Sequence, residues 1–171
     1  MDLKRYITDV PDFPKAGIVF KDITPLMGDA AAFRETIRAL AEPWKGKGIH
    51  LLVAAEARGF IFGGALATEL GAGLVPVRKA GKLPRKTVSA KYALEYGTDE
   101  LHMHEDAIAA GSKVLVVDDV LATGGTAKAI GDLVRSRGGN LAGYAFVIEL
   151  AFLDGRAKLA PSIIESLVTY S

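Results

Sequence analysis

Two adjacent carboxylates, Asp118 and Asp119, follow an apolar run in the stretch "VLVVDDVLATGGT", and three residues further on small residues are flanked by two hydroxyls, Thr123 and Thr126. A glycine-rich turn that opens a helix aims backbone N–H groups into a concavity. An anion there is stabilised by about 0.3 to 1 kcal/mol, and by up to ~2 kcal/mol when partly buried. Thr123 and Thr126 add hydroxyl donors, while Gly124 and Gly125 let the backbone come close, so a monoester phosphate fits. The carboxylates would repel that phosphate. They suit instead the vicinal hydroxyls of a sugar beside it and a metal-bound diphosphate on the far side, which together describe a 5-phosphorylated ribose. The same residues could also end a strand and cap a helix with no ligand at all. Neither GxxxxGK[ST] nor GxGxxG occurs, "GAGLVP" breaking the second pattern at its last position.

Elements that could carry such a site alternate along the chain. "GIVFKDITPL" begins as an extended segment, and "DAAAFRETIRALAEPW" reads as a helix with Asp29 as N-cap and Phe33, Ile37, Leu40 and Trp44 at helical spacing. "HLLVAAEARG" reads as a strand leading into the helix "FIFGGALATELG", which stops at Gly71. "GLVPVRK" and "KVLVVDD" are further strands, "GTAKAIGDLVRSRGG" a further helix, and "LAGYAFVIEL" and "SLVTY" complete the set. Alternating strands and helices predict an α/β fold with a mostly parallel, twisted sheet flanked by helices, whose ligands sit beyond the C-terminal strand ends. Between "GLVPVRK" and "KVLVVDD", the segments "TVSAKYALEY" and "ELHMHED" alternate about the turn "GTD" and predict an antiparallel hairpin that interrupts the pattern and could cover a site.

Composition narrows the function classes. The 171 residues fit one domain with a real core, and a net charge of +1 gives no broad pull toward nucleic acid or an anionic membrane. No cysteine is present, which removes disulfides and thiolate chemistry and suits a reducing compartment. No leader pattern or membrane-length apolar run is seen, so a cytoplasmic location is expected. His102 and His104, two apart with no third ligand nearby, do not make a metal site, and His50 before a strand reads as structural.

The segments "PDFPKAGIVFKDITPL", "ARGFIFG", "RKAGKLP", "LEYGTDELHMHEDAI" and "VVDDVLATGGT" occur in an order that resembles the type I phosphoribosyltransferases, and the likeness runs over nearly the whole chain. It implies one domain over residues 1–171, with an N-terminal hood at about 1–30 and a lid hairpin at about 85–106. It implies Mg²⁺, held by the substrate's diphosphate and ribose hydroxyls rather than by protein ligands, and a homodimer. Asp118 and Asp119 would hold the ribose, and Thr123, Gly124, Gly125 and Thr126 the 5-phosphate. Arg58, Arg78, Lys79 and Lys82 would bind diphosphate. Ala122 stands where relatives acting on 6-oxopurines carry an acid, which points to adenine as the base and AMP as product. Glu95 would then serve as the acid or base at N7, with Tyr96 packing over the site. Val19 and Lys21 would meet the base through their backbones and Phe20 would stack on it. The resemblance also implies a cis peptide between Glu56 and Ala57. Another base, such as xanthine or orotate, or a sensor of phosphoribosyl diphosphate without catalysis, remains open at this point.

Overall fold

The computed structural model describes residues 1–93 and 97–171. A short 3-10 turn leads into strands β1 (Thr8–Pro11) and β2 (Val19–Asp22), then helices α1 (Thr24–Gly28) and α2 (Ala30–Ala41). Next come β3 (Leu51–Ala55), α3 (Arg58–Leu70), β4 (Gly73–Lys79), β5 (Thr87–Ala93) and β6 (Thr98–His104). The chain continues through β7 (Lys113–Leu121), α4 (Gly125–Ser136), β8 (Asn140–Leu150), α5 (Gly155–Leu159) and β9 (Ile164–Tyr170).

Seven strands form the main sheet in the order β5-β6-β4-β3-β7-β8-β9. The five from β4 to β9 run parallel, and the β5–β6 hairpin adds antiparallel to β4 through Arg78↔His102 and Lys79↔Leu101. The predicted hairpin therefore extends the sheet rather than standing outside it. Burial on both faces explains the apolar runs of β3 and β7. Leu52, Leu115 and Val117 join Phe62, Leu66 and Trp44 on one face. Val53, Val116 and Phe146 join Ile130, Leu133 and Met103 on the other.

Local signals set the helix ends. Asp29 accepts from the N–H groups of Ala31 and Ala32, satisfying two of the orphan donors at the start of α2. Gly71 ends α3 in the left-handed conformation, φ +66°. From β3 the chain crosses through α3 to β4 on one side, whereas β7 crosses through α4 to β8 on the other. The strand order thus reverses between β3 and β7, and the crevice beyond their C-terminal ends is where such sheets bind ligands. Strand β7 runs four residues past its last pairing with β3, Ala54↔Val117, so Asp118 and Asp119 stand in the strand itself, above the end of β3. The expected strand "KVLVVDD" already held both acids, and the observed one continues two residues further, to Leu121.

At the far end of β8, Glu149 is buried and accepts from Arg156 Nε at 2.6 Å and Nη2 at 2.8 Å. Arg156 also donates to the Ile164 carbonyl, tying α5 to β8 and β9. Burial, the largest single effect, pushes the Glu149 carboxyl up, but the Arg156 guanidinium leads opposing effects that together set it below the usual glutamate range. A carboxyl lowered by folding adds stability above its unfolded pKa, and that stability is lost as pH falls through the lower folded value. Arg156→Ala should cost about 2 kcal/mol in urea unfolding at neutral pH, less than the ~3–5 kcal/mol of a fully buried pair because Arg156 is half exposed. Glu149→Gln should flatten the acid limb of the stability profile relative to the unaltered chain.

Candidate active site

Two adjoining cavities lie beyond β3 and β7. The first is a bowl of about 80 Å³ lined by Asp118 and by Val120 through Ala127. A water's share of liquid volume is about 30 Å³, so the bowl has room for one small group and not for a base. It contains all four residues expected to hold a phosphate, with Ala122 beside them. The first bond inside α4 runs from Lys128 N–H to the Gly124 carbonyl, which leaves the N–H groups of Gly125, Thr126 and Ala127 without partners in the helix. Gly124 caps the helix at φ +83°, and a Cβ there would stand 2.6 Å from the Gly155 carbonyl. Glycine is required at 124 by the turn and by the close seating of α5 beneath it.

The second cavity is a cleft that shares Asp118 and Thr126 with the bowl and adds Glu56, Arg58, Lys79, Tyr92 and Asp119. Arg58, the first residue of α3, donates from Nε to the Asp119 carboxylate. Asp119 is 6% exposed, so this guanidinium is what compensates its buried charge. Asp118 accepts from the Asp119 N–H at 2.9 Å. Removal from water, and then the adjacent Asp119 charge, push the Asp118 carboxyl well above the usual aspartate range. The Glu56–Ala57 peptide that enters α3 is cis, as the resemblance implied.

The expected cations divide. Lys79 lines the cleft, its ammonium 3.0 Å from Asp99 on β6, and the two groups shift each other, Lys79 upward and Asp99 downward. Arg78 instead donates to Glu56 at 3.2 Å and reaches toward the Lys82 carbonyl. Lys82 is exposed on the loop after β4 and does not line the cleft. Glu56, held below the usual glutamate range by the Lys79 N–H and then by Arg78, organises this edge.

The expected base-binding segment is β2. Its only described strand partner is β1, so its other edge is open. Val19 is exposed, and Phe20 is half-buried with the Arg58 guanidinium 5.6 Å from its ring centre and Phe13 edge-on at 5.2 Å. Phe20 is therefore not a core residue. The Lys21 side chain turns away from the cleft, its ammonium 2.6 Å from Asp9. Glu95 and Tyr96 lie outside the described residues, between β5 and β6. His50 is structural, accepting from the Lys113 N–H at 2.8 Å.

Three roles do not show in the sequence pattern. Glu56 enters it only through its peptide bond with Ala57, and Tyr92, whose hydroxyl donates to Asp99 at 3.3 Å, only as one position of an alternating hairpin. Gly59 is the third, although the glycine directly after Arg58 is a visible signal. A Cβ at Gly59 would stand 2.8 Å from Asp118 Oδ1, so this glycine makes room for the carboxylate at the start of α3.

The phosphoribosyl transferase domain model matches residues 27–164, and the chain belongs to that family. Among curated relatives, the adenine phosphoribosyltransferase of Thermotoga neapolitana is 55% identical over 99% of this chain and 100% of its own length. That of Thermobifida fusca is 54% identical over 98% and 95%. The crystal structure of adenine phosphoribosyltransferase from Thermoanaerobacter pseudethanolicus superposes with a TM-score of 0.96 at 53% identity, covering 99% of this chain and 98% of that one. The Saccharomyces cerevisiae enzyme, solved with adenine and an imino-altritol bisphosphate, gives 0.92 at 45% identity, with 97% and 96% covered.

If Gly59 exists to seat Asp118, then Gly59→Ala displaces the carboxylate while leaving the sheet intact. Turnover should fall about ten- to a hundred-fold, the scale of a misplaced reacting group. The thermal midpoint should move by no more than a few degrees, and a variant with unchanged turnover would remove the requirement.

Proposed function

We infer that this chain is an enzyme transferring the 5-phosphoribosyl group from 5-phosphoribosyl 1-diphosphate to N9 of adenine, releasing diphosphate and giving AMP in purine salvage. The observation that carries the reading is the wall shared by the two cavities. Asp118 faces both a bowl fit for a phosphate and a cleft fit for a diphosphate, so a ribose joining the two groups lies along the acidic pair. Asp118 and Asp119 accept from its hydroxyls and offset the positive charge that develops at C1 as the diphosphate leaves, a preorganised effect commonly worth several kcal/mol. Arg58 and Lys79 draw the departing diphosphate, with Arg78 and Lys82 at its outer edge. The open edge of β2 offers the Val19 and Lys21 backbones to adenine's amine and ring nitrogens, and Phe20 covers the ring face. Ala122 brings only a methyl to the bowl, so the N7 proton falls to Glu95 on the hairpin, and Tyr96 and Tyr92 exclude water from C1.

The acid pair suits a hydrated cation carried by the substrate, since both groups are hard oxygen acceptors and no cluster of three metal-ligating side chains occurs among the described residues. Bound Mg²⁺ would neutralise diphosphate charge and make it a better leaving group. The proposed salvage reaction is assigned to the cytoplasm. Among the described residues no helix is long and apolar enough to cross a membrane. Ile61 on α3 and Leu74 on β4 are large apolar side chains left exposed, and such surface favours a homodimer.

A panel of adenine, hypoxanthine, xanthine and orotate with phosphoribosyl diphosphate tests the reading. AMP formation from adenine alone is expected, and preference for another base, or no turnover at all, would overturn it. Glu95→Gln should lower kcat by about 10²- to 10⁴-fold with both KM values near normal. The double variant Asp118→Asn, Asp119→Asn should lose nearly all kcat/KM.

A further inference from the structure

We propose that Tyr170, outside the substrate cleft, sets affinity for the purine base by holding the Lys21 ammonium against its ring and so fixing strand β2 over the site. This rests on β2 being the base-binding segment. Among the described residues, strands β1 and β2 make a sheet of their own with no ladder to the main one, so something other than backbone pairing must fix their position over the cleft. Asp9 and Lys21 are direct cross-strand partners, and their 2.6 Å ion pair stays inside the small sheet. The Tyr170 ring, by contrast, belongs to β9 of the main sheet, where it is paired with Leu150 of β8.

Lys21 Nζ lies 4.1 Å from the centre of that ring, and Lys4 Nζ lies 4.7 Å from it. The Lys21 side chain is only 12% exposed, so the contact is made largely out of water, where a cation over an aromatic face is worth most. Next along the chain is Phe20, whose ring meets the Arg58 guanidinium at the cleft. Side chains alternate across a strand, so β2 has the Lys21 anchor directed at Tyr170 and the Phe20 contact directed at the site. A loosened anchor lets the recognition edge drift while the acid pair and the phosphate bowl, carried on β7 and α4, stay where they are. Base affinity should therefore change alone. The ring face and not the hydroxyl makes the contact, so phenylalanine should preserve it.

Steady-state kinetics on purified full-length variants test this. Tyr170→Ala is expected to raise KM for adenine about three- to ten-fold while KM for phosphoribosyl diphosphate and kcat stay within about two-fold. Tyr170→Phe should match the unaltered chain. Lys21→Met should raise the adenine KM as Tyr170→Ala does, and the double variant should raise it by clearly less than the product of the two single effects, because both remove the Lys21–Tyr170 contact while each also removes one of its own, Asp9 for Lys21 and Lys4 for Tyr170. An unchanged adenine KM, an equal rise in both KM values, or a phenylalanine variant that behaves like alanine overturns the assignment. Amide hydrogen exchange without substrate separates this from the functional reading. Residues 8–22 should exchange faster in Tyr170→Ala and at the original rate in Tyr170→Phe, with β7 unaffected. Equal exchange in all three overturns the tether. Failure of the unaltered chain to use adenine, with the exchange difference present, strikes the assigned reaction instead.

Discussion

Two carboxylates on consecutive residues in a cleft partly closed to water repel each other, and the Arg58–Asp119 ion pair is what lets the structure keep them together. Asp119 is buried with its charge compensated by that guanidinium, while Asp118 bears the cost as a carboxyl pushed toward its protonated form by burial and by its neighbour. Much of the surrounding architecture serves this arrangement. Strand β7 must outrun β3 to raise the acids above the sheet, α3 must begin at Arg58, and Gly59 must carry no side chain. The crossover from β3 to α3 and the one from β7 to α4 then face each other at the point where strand order reverses, so cation and acids meet without any long loop.

The other cations near the site are likewise engaged with acids, Lys79 with Asp99 and Arg78 with Glu56. These pairs keep positive charge positioned without leaving a bare cluster that would repel itself. Ion pairs with this much solvent contact are worth about 0–1 kcal/mol, so a diphosphate with several negative oxygens can take Lys79 from Asp99 at little cost. Asp99 lies on the hairpin strand that also receives the Tyr92 hydroxyl bond, and Tyr92 lines the cleft. In the proposed reaction, the exchange of partners at Lys79 therefore bears directly on the hairpin that carries Glu95. Charge in the cleft and position of the cover are linked through one lysine.

What the sequence made legible follows from how local each signal is. The Asp29 cap, the Gly71 stop and the apolar runs of β3 and β7 are decided within a few residues, and each lies where it was expected. The bowl was legible for the same reason, since its glycines and hydroxyls are consecutive. Strand β1 was not, because four mostly exposed residues ending in proline carry no apolar alternation. The hairpin's existence could be read from its period of two, but joining the edge of β4 depends on an unpaired strand edge that no pattern within the hairpin encodes. Charged side chains were least legible. Arg78 and Lys79 are adjacent in one basic loop pattern, yet the strand's alternation sends one to Glu56 and the other into the cleft.

Arg58 shows why residue type at this site constrains more than charge does. Its Nε is given to Asp119, while the guanidinium carbon lies 5.6 Å from the centre of the Phe20 ring. One side chain thus touches both the group assigned to the ribose and the group assigned to the base, the two halves that must be joined at C1. A planar, delocalised cation can donate along its edge and present its face to an aromatic ring at the same time, whereas an ammonium is a compact point charge that cannot divide the two tasks. A lysine at 58 would preserve the sign of the charge beside Asp119 but could not keep that contact and the one with Phe20 together. The relative placement of sugar and base would then rest on the hood alone, whose attachment to the main sheet is by side chains and not by a strand ladder.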